Sequence, residues 1–122
     1  MSRPTVEPPA GPPPTDLVVE DITVGDGPRA EPGHLATVHY VGVSHSDGRE
    51  FDASWNRGSA FTFALGGGQV ISGWDQGVVG MRVGGRRRLV IPPHLGYGDR
   101  GAGDAIRPGE TLVFVVDLVG VE

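Results

Sequence analysis

The chain has 122 residues with 21 glycines, 11 prolines and no cysteine. It therefore has the length of one domain around one core, folds without disulfides, and has neither a thiol nucleophile nor a zinc-thiolate site. All ten Lys and Arg positions are arginine and the formal charge is −5, which excludes Schiff-base and P-loop lysine chemistry and argues against a nucleic-acid partner.

Residues 1–16 hold Pro4, Pro8, Pro9 and the run Pro12-Pro13-Pro14 with little aliphatic material. This predicts a disordered Pro-rich tail ahead of a folded domain over 17–122. A polyproline ligand for a partner is the other use of such a tail, and a solvated leader is favoured over it. No apolar signal core follows Met1, and no run approaches the ~18 apolar residues of a bilayer span. The expectation is a cytoplasmic protein with no membrane partner.

Leu17 to Val24 reads as a first strand, closed by Gly25-Asp26-Gly27-Pro28. In a second, Leu35 to Ser44, one face carries Ala36, Val38, Tyr40 and Gly42 and the other Thr37, His39 and Val41, so only the first reads as fully apolar. The turn Ser46-Asp47-Gly48 leads to strands at Glu50 to Ser54 and Phe61 to Leu65. Gly66-Gly67-Gly68 lacks the G-x-x-x-x-G-K-[ST] pattern of a phosphate cradle and reads as a flexible turn. Ile71 to about Met81 is the one plausible helix, with Ile71, Trp74 and Val78 on one face and Gly77 weakening it. Arg86 to Ile91 forms a strand whose three leading arginines alternate across it, favouring a solvated strand with a protected edge over a nucleic-acid patch. Pro92 to Glu110 is a Gly-rich connection long enough to suggest a functional loop, and it carries Tyr97. The last strand, Thr111 to Val121, turns Leu112, Phe114, Val116 and Leu118 inward. The class is α+β, an antiparallel sheet with one short helix on one face.

The stretch Val70-Ile71-Ser72-Gly73-Trp74, behind Phe61-Thr62-Phe63-Ala64-Leu65-Gly66, has the aliphatic and aromatic residues that floor and wall an apolar pocket. By composition alone the same residues suit an ordinary core. His34, His39, His45 and His94 have no carboxylate or cysteine at a ligand spacing, and no metal is predicted. Ser, His and Asp occur without the arrangement of a nucleophilic triad.

Six blocks in order, Val38-His39-Tyr40-Val41-Gly42, Phe51-Asp52-Ala53-Ser54, Phe61-x-Phe63-x-Leu65-Gly66, Val70-Ile71-x-Gly73-Trp74-x-x-Gly77, Tyr97-Gly98 and Thr111-Leu112-Val113-Phe114, resemble the FKBP-type peptidyl-prolyl cis-trans isomerases. The likeness runs from Leu17 to Glu122. It implies a five- to six-stranded antiparallel β-sheet wrapped around one short α-helix, with a pocket between helix and sheet. It implies an enzyme that accelerates X-Pro isomerisation during protein folding without a cofactor, acting as a monomer on proline-containing polypeptides and binding macrolides such as tacrolimus and rapamycin. Asp52, Tyr97, Ile71, Trp74 and Phe51 are implied to be catalytic, with Trp74 the floor, and the Ile71 N–H and Tyr97 hydroxyl donating to ligand carbonyls. Tyr40, Arg57, Phe61, Val70, Ile106 and Phe114 are implied to bind substrate, Arg57 and Tyr40 forming a polar cluster with Asp52. A macrolide- or proline-segment-binding module with little turnover is the alternative. A chaperone role is disfavoured, because the loop over Pro92 to Glu110 is too short for the inserted domain such family members carry. The chain departs from the pattern at Asp104, Ala105 and Arg107, and at Trp55, expected to be an exposed indole beside the pocket.

Overall fold

Alternating apolar residues along Leu35–Ser44 and Leu112–Val121 build the two longest strands, and their antiparallel pairing forms the middle of the fold. The structure is a computed structural model and describes residues 2–122. In chain order the strands are β1 (Val18–Thr23), β2 (Leu35–Ser44), β3 (Glu50–Ala53), β4 (Phe61–Ala64), β5 (Arg86–Ile91) and β6 (Leu112–Val121), with one helix, α1 (Ser72–Gly77). They form one antiparallel sheet in the order β1-β5-β6-β2-β3, and β4 pairs with the start of β2 while β3 pairs with its end. β3 and β4 therefore share one edge of β2, separated by a 3-10 turn at Ser54–Arg57.

The concave face carries the main core. Ala36, Val38 and Tyr40 of β2, Leu89 and Ile91 of β5, and Leu112, Phe114, Val116 and Leu118 of β6 pack against Trp74 and Val78. The opposite face of β2, mixed as its sequence suggests, begins with the half-buried Thr37 and His39. From Val41 onward it is buried, and Val41, Val43, Ala53, Val90 and Val113 form a second cluster. Its cover comes from Val6, Val18 and Trp55. Residues 2–17 contain no helix or strand, and side chains from this segment reach the convex side of the sheet. Arg3 bonds to Glu50 and Asn56, and the Ser2 carbonyl accepts from Arg86.

Two expectations are corrected here. The helix expected over Ile71 to Met81 ends at Gly77, because Gly77 is a poor helix residue and Gly80, at φ +89°, turns the chain back to bond Ala30. The arginine strand is no solvated edge, since β5 lies between β1 and β6. Each arginine meets an acid brought opposite it by the register: Arg86 with the buried Asp117 at 2.6 Å, Arg87 with Asp21 at 2.7 Å and Arg88 with Glu20 at 2.8 Å.

Candidate functional site

Between α1 and the concave face of the sheet lies an open cavity of about 390 Å³. Its floor is Trp74, 4% exposed, carried by α1, which rests on Leu89 and Ile91 of β5 and turns the indole toward Tyr40 of β2 and Phe114 of β6. Four rings surround the indole. Tyr40 meets it edge-on at 4.9 Å and Phe114 at 5.3 Å, with Phe63 at 5.6 Å and Phe61 at 6.2 Å. Edge-to-face contacts of this kind fix ring planes as well as burying area. The indole N–H of Trp74 is buried without a hydrogen-bond partner among the described residues.

Gly42 decides how deep the back wall sits. It is the inward residue between Tyr40 and Ser44 on β2, and a Cβ there would fall 2.6 Å from the Phe114 ring and 2.8 Å from Phe51. With no side chain in the way, those two rings lie against the strand backbone at 5.4 Å from each other and leave the cavity open above them.

One wall is polar. The Tyr40 hydroxyl donates to Asp52 Oδ2 at 2.6 Å, Arg57 Nη1 donates to Asp52 Oδ1 at 2.8 Å, and Arg57 Nη2 donates to the Tyr40 hydroxyl at 2.7 Å. The 3-10 turn closes this ring of bonds by bringing Arg57 back over β3. Ser54, where β3 was expected to end, instead starts that turn, and its Oγ accepts the Tyr40 backbone N–H at 2.8 Å. Partial burial pushes the Asp52 carboxyl up, but the hydrogen bonds from Tyr40 and Arg57 and the guanidinium charge outweigh it and hold the group below the ordinary carboxylate value. Burial, with the hydrogen bond to Asp52, raises Tyr40. The wall therefore presents an ionised carboxylate already paired, rather than a free acid or base.

The opposite rim comes from the loop between β5 and β6. Backbone bonds between Ala102 and Ile106, at 2.8 and 3.1 Å, fold the loop back on itself, and a bond from Gly109 to Gly98 at 2.9 Å closes its base. Ile106 is thereby buried against the cavity while Tyr97 stays 41% exposed at its mouth. Burial of its ring raises the Tyr97 hydroxyl, with the field of Asp52 adding to it. That hydroxyl makes no hydrogen bond among the described residues, and neither does the Ile71 N–H at the start of α1. Both are left free to donate to a ligand. Arg107 is turned away, pairing with Asp47 at 3.0 Å.

Tyr40, Phe51, Asp52, Phe61, Val70, Ile71, Trp74, Tyr97, Ile106 and Phe114 all line the cavity, and Arg57 stands behind Asp52 and Tyr40. Sequence reasoning missed Gln69 and Ala105 as lining residues. Each adjoins a residue it found, Val70 and Ile106, which was the available signal. Gln69 also accepts the Ala64 N–H at 2.9 Å, tying the loop before α1 to β4. Trp55 is a correction: it does not border the pocket but stacks on His39 at 4.4 Å and packs on the convex cluster. The turn that returns Arg57 to the wall carries Trp55 to the other side of the sheet.

The model of the family described as FKBP-type peptidyl-prolyl cis-trans isomerase matches residues 27–119. The chain is 64% identical to the FK506-binding protein of Streptomyces anulatus over 99% of its own length and 98% of the relative's. It is 51% identical to a probable FK506-binding protein of Corynebacterium glutamicum, with 98% of each covered. Its fold is similar to the crystal structure of AtFKBP13, at a TM-score of 0.82 and 44% identity over 90% of this chain and 96% of that one.

Proposed function

Since the chain belongs to the FKBP-type peptidyl-prolyl cis-trans isomerase family, we propose that its cavity accelerates rotation about X-Pro bonds by non-covalent means, with Trp74 as floor. Isomerisation is slow because twisting the amide destroys its resonance, a barrier of ~18–20 kcal/mol. At the twisted state the carbonyl has lost charge separation and the nitrogen has become pyramidal. An apolar enclosure that withholds water favours that less polar state over the planar one. The rings of Phe51, Phe61, Trp74 and Phe114 supply the enclosure for the proline, and Val70 and Ile106 narrow it.

The free N–H of Ile71 and hydroxyl of Tyr97 hold the flanking carbonyls of the substrate, which fixes the chain on both sides while the bond turns. Asp52 acts through its field on the twisting carbonyl, and Arg57 and Tyr40 keep it ionised and in place. The names of the relatives, FK506-binding proteins, support the same cavity as a macrolide site, and tacrolimus and rapamycin are the ligands proposed for it. The observation that carries this reading is the enclosure of Trp74 by aromatic rings beside two unpaired donors.

Isomerisation of a set of X-Pro peptides, with and without a macrolide, tests it. Acceleration that the macrolide abolishes is expected. Tight macrolide binding with no acceleration replaces the enzyme with a binding module.

A further inference from the structure

The helix α1 lies lengthwise over the inner row of β5. Register places Arg87, Leu89 and Ile91 opposite Val116, Phe114 and Leu112, all turned to the concave side. Two strand residues advance ~6.7 Å and four helix residues ~6 Å, so strand and helix stay in step. Gly73 rests on Ile91 and Gly77 on Leu89. A Cβ at Gly73 would fall 2.5 Å from Ile91, and one at Gly77 2.7 Å from Leu89. The helix is thus pressed directly onto the strand at both places.

At the third place in this row the strand offers a guanidinium. Arg87 Nη1 donates to the carbonyls of Gly77 at 2.9 Å and Val79 at 3.0 Å. Its Nε donates to Asp21 Oδ1 at 2.7 Å, which aims the fork from β1. The side chain is only 11% exposed. So short a helix leaves most of its last carbonyls without internal partners, and a cation at that end both satisfies and stabilises them.

We propose that Arg87 is a positioning residue for the pocket: by clamping the C-terminal end of α1 it sets how the helix seats on β5. That seat determines the plane of Trp74 and the direction of the Ile71 N–H. Arg87 does not line the cavity. Its influence on the floor is mechanical, because Trp74 is wedged among rings and a small tilt of α1 alters every one of those contacts. Lysine cannot replace it fully, since a single ammonium does not span two carbonyls and a carboxylate in one plane.

Arg87→Met, which keeps the apolar stem, and the milder Arg87→Lys and Asp21→Asn test this in protein carrying 5-fluorotryptophan. The two tryptophans give separate fluorine resonances, and Trp55, on the far face against His39, is the internal control. The expected result is a shift or broadening of the Trp74 resonance alone in Arg87→Met, with a smaller change in Arg87→Lys and Asp21→Asn. A fall in kcat/KM for an X-Pro peptide of about tenfold should accompany it, the scale of a small misplacement in a positioned site. Displacement of both resonances together, or of neither, overturns the proposal. Should Arg87→Met fail to fold, the two milder variants decide by the same resonances. The kinetic arm rests on the isomerase reading. If the unaltered protein isomerises no X-Pro peptide, that reading fails, and the Trp74 resonance alone still decides the role of Arg87.

Discussion

Two side chains that line the pocket, Trp74 and Asp52, give the most direct tests of the proposed reaction. Truncation of the buried Trp74 removes the common partner of four rings. Trp74→Ala is expected to cost about 3–5 kcal/mol in urea unfolding and to abolish macrolide binding. A variant that stays folded and binds normally would remove Trp74 from the floor. Asp52 is proposed to act electrostatically. In Asp52→Leu the guanidinium and the Tyr40 hydroxyl lose their common acceptor, and kcat/KM for an X-Pro peptide is expected to fall about tenfold, or ~1.4 kcal/mol. Undiminished activity in a folded variant takes Asp52 out of the mechanism. The direction of its shift also sets a pH dependence. The folded value lies below the unfolded one, so the contribution of Asp52 to stability is fully present above its unfolded value of ~3.9. It is lost as pH falls through the lowered folded value. Tyr40 and Tyr97 are raised above the ordinary phenol value and no histidine lines the cavity. The rate is therefore expected to be flat from about pH 6 to pH 9, as a profile of kcat/KM will show. At this scale the lining of the cavity was nearly all legible in the sequence, because the blocks around Tyr40, Asp52, Trp74 and Tyr97 hold single residues at set spacings. Gln69 and Ala105 escaped because a loop residue's orientation has no periodicity to read.

At the scale of elements, close approach shapes the site more than propensity does. Gly42 belongs to a strand, where glycine is ordinarily unfavourable, and its value is the room it leaves for Phe51 and Phe114. Gly42→Ala places a methyl within 2.6 Å of Phe114. The overpacking is expected to cost about 1–3 kcal/mol and to weaken macrolide binding by moving both rings into the cavity, readable from thermal unfolding and a binding titration. The sequence marks Gly42 as one inward position among several, and only the pairing of β2 with β3 and β6 shows which rings land on it. The helix shows the same limit. The spacing of Ile71, Trp74 and Val78 suggests a longer element, and its early end depends on the turn at Gly80 and on Arg87, supplied by another strand.

Across the whole molecule the sheet separates two faces with different duties. The concave face holds the pocket, and the convex face carries the valine cluster partly covered by Val6. Burying half a valine contributes ~1 kcal/mol, about what ordering the backbone of a single residue costs, so the contacts of Val6 offset the ordering of only a residue or so and the tail adds little net stability. Deleting residues 2–9 is accordingly expected to change unfolding free energy by less than about 1 kcal/mol and to leave kcat/KM unchanged, the pocket being on the other face. A large loss of either would make the segment part of the fold. The strands, the class of fold and the family were legible in the chain, since alternation, turn residues and motif spacing are local properties carried by neighbours in sequence. What only the tertiary structure decided is which distant groups meet. The three arginines of β5 find Asp117, Asp21 and Glu20, Trp55 crosses to the convex face, and α1 is seated by Arg87, because strand register and the path of a turn depend on contacts between segments that the sequence keeps far apart.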